Sequence, residues 1–137
     1  MKPFSIAGIQ MRVSASYSNV EAMKLKLNIL MNLYPWVDMV VYSELCAYGP
    51  LTHHSLARIE DFEEPMQELA RKHKVWLVPG PVFPTVAGKI FNTASGLDPD
   101  GHVGTRPREM FTVCPYRVGG NPGKEFCCLL YTYEEAD

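Results

Sequence analysis

The chain has 137 residues, with 13 Lys plus Arg against 15 Asp plus Glu and a formal net charge of −2; 47% of its residues are hydrophobic and 20% charged. That profile fits one globular core, is too short for two independent domains, and excludes a strongly basic nucleic-acid protein or an acidic solvating tail. No apolar run approaches the ~20 residues that cross a bilayer, and Met1-Lys2-Pro3-Phe4 lacks the features of a signal peptide, so the expected location is the cytoplasm.

Phe4 to Met11 predict a first strand, apolar on both faces, as suits a sheet covered on both sides. Ser18 and Glu21 then fit a capping box, the Ser oxygen accepting an early backbone N–H and the Glu returning the bond. Val20, Met23, Leu27, Leu30, Met31 and Tyr34 follow at three- and four-residue steps, which is one face of a helix of about four turns. Lys24, Lys26, Asn28 and Asn32 populate its other faces, and Pro35 stops it. Val37 to Ser43 predict a second strand, with Glu44 at its carboxyl end. Glu60 to Lys74 predict a second helix, with Pro65 near its first turn and Met66, Leu69, Ala70 and His73 sharing a face. Val75 to Val78 predict a third strand, closed by Pro79, Gly80 and Pro81. The order β-α-β-α-β argues an α/β sheet with parallel pairing.

The pattern then changes. Ile90 to Leu97 and His102 to Gly104 predict a β-hairpin around Asp98-Pro99-Asp100-Gly101, whose Pro and Gly suit a type I turn. Residues 106–124, rich in Pro, Gly and Arg, read as loop. Glu125 to Tyr131 predict a last strand, and Thr132 to Asp137 a polar tail that frays.

Glu44 carries the most information about chemistry. Ligand sites of open α/β sheets lie beyond the carboxyl ends of parallel strands, and a carboxylate among apolar neighbours there suits general-base work. On position alone, capping a helix or pairing with an arginine explains it as well. His53 and His54 are neighbours that point apart on any regular element, so they are poor joint metal ligands. Cys46, Cys114, Cys127 and Cys128 show no CxxC spacing, so neither a disulfide framework nor a zinc site is expected. Cys46, two residues past Glu44, has no visible activating context as a nucleophile. The glycines form no phosphate-binding fingerprint, and no cofactor or metal is expected. Arg106, Arg108 and Arg117, with Tyr116, form a small basic loop that suits solvent better than an anion.

Several segments together resemble the nitrilase superfamily of carbon–nitrogen hydrolases. The opening strand ends in Gly8-Ile9-Gln10, Asn19 stands at the start of the following helix, and residues 40–49 end an apolar strand in Ser43-Glu44-Leu45 before an aromatic-Gly turn. Phe91-Asn92-Thr93-Ala94, Asp98 to Gly101, Cys114-Pro115-Tyr116 and residues 122–126 continue the match in order. The resemblance implies a partial α-β-β-α sandwich over residues 1–137, one domain acting on a small nitrile or amide. It also implies a Glu–Lys–Cys triad: the Cys attacks the carbon, the Glu serves as its base, and the Lys stabilises the oxyanion.

Glu44 matches the triad glutamate. Aligned on Met110, the lysine position holds Glu109, a carboxylate that would repel an oxyanion, and Arg106 or Arg108 would replace the lysine only if the loop shifted. The chain reaches Asp137 before the strand-to-helix elbow that carries the family's nucleophile. The expectation is therefore a truncated half-domain, inactive as this chain. The alternative is a non-catalytic binding or self-assembling module, associating as a homo-oligomer through an exposed sheet, with neither nucleic acid nor membrane as partner.

Overall fold

The computed structural model describes residues 2–49 and 58–104, together with the backbone of a strand at Arg108–Met110. Three short strands, β1 (Ile6–Ile9), β2 (Met39–Tyr42) and β3 (Trp76–Val78), alternate with two helices, α1 (Val20–Leu33) and α2 (Glu60–His73). The strands pair in parallel in the order β1-β2-β3, with Ile6 opposite Met39 and Met39 opposite Trp76. The alternation expected from the sequence is therefore found, with each strand shorter than its apolar run.

Which face is buried follows from handedness. Right-handed crossovers between successive parallel strands that advance in one direction put both helices on the same side. Ile9, Val40, Tyr42 and Leu77 on that side are buried against Met23, Leu27, Phe62 and Met66. On the other side Ile6 and Trp76 stay 64% and 45% exposed. The expectation of a sheet covered on both faces is not met among the described residues, because both available helices serve one face.

The capping box is also replaced. Asn19, not Ser18, is the N-cap of α1, and its side chain makes no cap bond. Ser18 Oγ accepts the Val20 N–H at 3.3 Å, while Glu21 turns to Lys24 at 2.7 Å instead of back to the cap. Tyr42 fixes β2 to α1 by donating its hydroxyl to the Met23 carbonyl at 2.7 Å. At the start of β2, the Asp38 carboxylate accepts from the Ser5 backbone and hydroxyl, which hold it below the usual carboxylate range.

Helix α2 carries acidic residues in its first turn and Arg71, Lys72 and His73 in its last, as the helix dipole favours. Pro65 lies in its second turn, not its first, where it cannot donate to the Asp61 carbonyl. His73 is half-buried and meets Asn28 Oδ1 of α1 at 2.7 Å. Burial, helped by Lys72, lowers its pKa below 6.5. The unfolded chain then takes up the proton first, so stability should be full above about pH 6.5 and fall as pH drops below it. Thermal melts of wild type and His73→Gln across that range check this; the two should converge at low pH.

The turn at residues 98–101 forms as expected: Gly101 donates to the Asp98 carbonyl at 2.9 Å and Leu97 pairs with Val103. The long strand expected before it is divided. Residues β5 (Lys89–Thr93) belong to a second, antiparallel sheet with β4 (Thr85–Val86) and β6 (Arg108–Met110), whereas Leu97 pairs with Leu77 beside β3. One straight strand could not serve both Val82 and Leu77, so the chain changes sheets after Thr93. The β4–β5 connection is a two-residue turn, Ala87 and Gly88, both at positive φ (49° and 74°), as a type I′ turn requires. The backbone at 108–110 is strand rather than loop, because β5 has a second edge whose polar groups need partners.

Candidate functional site

Glu44 opens the turn at 44–48, directly beyond the carboxyl end of β2, where the sequence placed it. It is exposed, so the apolar enclosure expected around it is not present among the described residues. The turn is tight: Leu45 sits at φ 55° and the Gly49 N–H reaches back to its carbonyl at 2.9 Å. A non-glycine residue in that conformation persists only where the surroundings hold it.

Three neighbours do so. Asn19 is 4% exposed, and both its backbone N–H and its Nδ2 donate to the Ala47 carbonyl, at 2.7 and 3.1 Å. The same amide spans the segment after β1, accepting the Ser14 N–H at 2.8 Å and donating to the Ser14 carbonyl at 2.9 Å. Gly49, at φ 72°, lies so close to that segment that a Cβ would stand 3.2 Å from the Ser14 oxygen. Gly80, at φ 84°, closes the other side; a Cβ there would stand 2.6 Å from the Ser43 carbonyl oxygen. The ends of all three parallel strands thus converge on one turn, with Glu44 at its outer lip.

Cys46 shares this turn but points inward and is fully buried. Burial pushes its thiol pKa up, and a hydrogen bond from Ser43 offsets this only in part. A buried, protonated thiol is a poor nucleophile. Arg106, His53, His54, Cys114, Tyr116, Arg117, Cys127 and Cys128 lie outside the described residues, as does the expected strand at 125–131. Arg108 and Glu109 fall in β6, where Glu109 is in register with Asn92.

The roles of two residues escaped the sequence reading. The clamping role of Asn19 was hidden by the capping-box pattern, although a lone Asn at a helix start offers both donor and acceptor. Glu63 is 2% exposed and accepts the Ser95 hydroxyl at 2.5 Å. Its signal was positional: it stands three before Met66 and seven before Ala70, inside the core-facing stripe of α2. A cleft of about 650 Å³ opens beside the clamp, between Arg12, Ser14, Tyr17, Asn19 and Glu21. Among the described residues, no three His, Cys, Asp or Glu side chains converge as a metal set, and no helix is long and apolar enough to cross a membrane.

Neither a protein-family model nor a curated protein sequence matches the chain. Solved structures do. The carbon–nitrogen hydrolase of Helicobacter pylori superposes with a TM-score of 0.72 at 20% identity, covering 89% of this chain and 45% of that one. The amidase of Nesterenkonia sp., solved in complex with butyramide, gives 0.73 at 16% identity, covering 89% and 49%. The Saccharomyces cerevisiae protein Nit3, of branch 10 of the nitrilase superfamily, gives 0.62 at 21% identity over 72% and 42%. The chain has a partial nitrilase-like fold. It spans about half the length of the structures it matches. In nitrilase-fold terms, the described residues supply a parallel βαβαβ layer, both its helices on one side, and a turn that projects a carboxylate from the end of the second strand.

Proposed function

We propose that these residues are the glutamate-bearing half of a carbon–nitrogen hydrolase of the nitrilase superfamily, acting on a small amide or nitrile, with Glu44 as the general base. The clamped turn at the carboxyl end of β2 carries this reading: three separate contacts hold a strained backbone whose outermost side chain is a carboxylate. A base must be held within hydrogen-bond reach of the proton it takes, and a fixed backbone provides that. In the proposed chemistry Glu44 takes a proton from a thiol and the thiolate attacks the amide carbon; the C–N bond breaks as ammonia leaves with that proton, and water hydrolyses the resulting thioester to the acid and the free thiol, a nitrile reaching the same thioester through a thioimidate that adds water and loses ammonia. Cys46, the only cysteine among the described residues, is buried with its thiol pKa pushed up, and Glu109 stands where the resemblance puts the triad lysine, so the reading includes that this chain is hydrolytically inactive by itself. Residues 1–137 count as one domain in this reading.

The alternative, a binding or self-assembling module derived from the fold, draws on the uncovered sheet face at Ile6 and Trp76. Two measurements test these readings, the first the inactivity that both share and the second the difference between them. Purified chain incubated with simple amides and nitriles should release no ammonia; release that disappears in Cys46→Ala would overturn the assignment of roles. An NMR titration with butyramide should shift the amides of residues 43–49, and Glu44→Gln should weaken the shift. No response there from a folded chain would favour the module.

A further inference from the structure

We propose that Phe83 and Ile90, on the antiparallel β4–β5 hairpin, are positioning residues for Glu44 that act through the side chain of Leu45. The proposal rests on Glu44 as the base. The turn at 44–48 sends its side chains into two separate cores. Cys46 and Ala47 belong to the main core, between the parallel sheet and its two helices. Leu45 does not: it is buried in a second, smaller cluster with Phe83, against which Ile90 packs. Leu45 is 7% and Phe83 3% exposed, although Glu44, next in the chain, is exposed.

The left-handed backbone of Leu45 makes this division possible. A non-glycine residue keeps a positive φ only where contacts outweigh its cost, and the contact at stake here is the burial of Leu45 on Phe83. Relaxing φ to a negative value turns the chain about the N–Cα bond of Leu45. That rotation moves the Glu44 peptide relative to the Leu45 side chain, so Leu45 cannot stay on Phe83 while Glu44 changes direction. The surface that receives Leu45 is itself fixed. Val82 and Thr93 exchange two backbone hydrogen bonds of 3.0 Å, and the Phe91 N–H donates to the Pro84 carbonyl at 3.0 Å, so residues 83 and 90 sit in one ribbon. The hairpin thus steadies the turn from the second sheet, whereas Asn19, Gly49 and Gly80 hold it from the ends of the parallel strands.

Hydrogen exchange, read amide by amide, tests this without a ligand. The Gly49 N–H bonds to the Leu45 carbonyl, and the Leu27 amide at the centre of α1 serves as reference. Phe83→Ala should speed exchange at Gly49 about tenfold against Leu27. Ile90→Ala, which truncates a half-buried side chain and carries the comparison if Phe83→Ala fails to fold, should give a smaller rise in the same direction. Phe83→Leu should recover most of the protection. Leu69→Ala, truncating a side chain of the main core that is 6% exposed, should leave the ratio unchanged. Titration with butyramide then separates positioning from packing: the response of residues 43–49 should weaken in Phe83→Ala and persist in Leu69→Ala. An unchanged exchange ratio in the Phe83 and Ile90 variants overturns the proposal, as does an equal rise in Leu69→Ala. So does a raised ratio with an undiminished butyramide response, which would leave Phe83 a packing residue only. Silence from wild type would sink the assignment of Glu44 itself, a failure that the exchange ratios would not share.

Discussion

Replacing Gly80 by Ala should cost about 2–4 kcal/mol and unseat the turn that carries Glu44. The new Cβ would lie 2.6 Å from the Ser43 carbonyl oxygen and 3.9 Å from the Leu45 nitrogen. Both are backbone atoms, which cannot swing aside as a side chain would. The left-handed φ of 84° adds about 1–2 kcal/mol for any L residue. Gly88→Ala is the control: its φ is 74°, but an added Cβ there meets nothing within 4 Å. The difference between the two variants in urea midpoint, at equal m-value, isolates the collision from the backbone strain. Faster hydrogen exchange at the Gly49 amide, which bonds to Leu45, should report the displaced turn. Equal losses in the two variants would remove Gly80 from the clamp.

Asn19→Ala should be nearly as damaging, at about 2–3 kcal/mol, since it strips partners from the Ser14 N–H and carbonyl and removes one of two donors to Ala47. Asn19→Asp discriminates further. At an ordinary N-cap, Asp serves as well as Asn and gains from the helix dipole. Here the amide points away from the helix, and a carboxylate oxygen in place of Nδ2 would face the carbonyls of Ser14 and Ala47. Asp should therefore be at least as destabilising as Ala in denaturant titrations. A stability equal to wild type would mean that Asn19 only caps α1.

The βαβαβ layer was legible because its signals are local: apolar runs of strand length, helical spacing in α1 and α2, and Pro or Gly between them. The place of Glu44, just past the carboxyl end of β2, was legible from the apolar run of that strand. What escaped was decided by contacts distant in sequence. Nothing near Phe4 to Met11 says that both helices will choose one side; that follows only once strand order and crossover hand are known. The division of residues 90–97 between two sheets depends on Val82 and Leu77 competing for one segment. The Ala87–Gly88 turn was missed because alanine seldom takes positive φ. Asn19 and Glu63 were hidden by stronger local patterns, a capping box and an acidic helix start.

The one-sided placement of the helices also bears on heat capacity. On the open sheet face Ile6 and Trp76 are already 64% and 45% exposed before unfolding begins, so melting adds less to their contact with water. The heat-capacity increment of unfolding should then fall below the usual ~12–15 cal/mol/K per residue, and the stability curve should be correspondingly shallow. Calorimetry at rising protein concentration reads the same feature from the other side. Wherever association covers that surface, the increment per chain should grow, and the chain should become more temperature-sensitive as it becomes more stable.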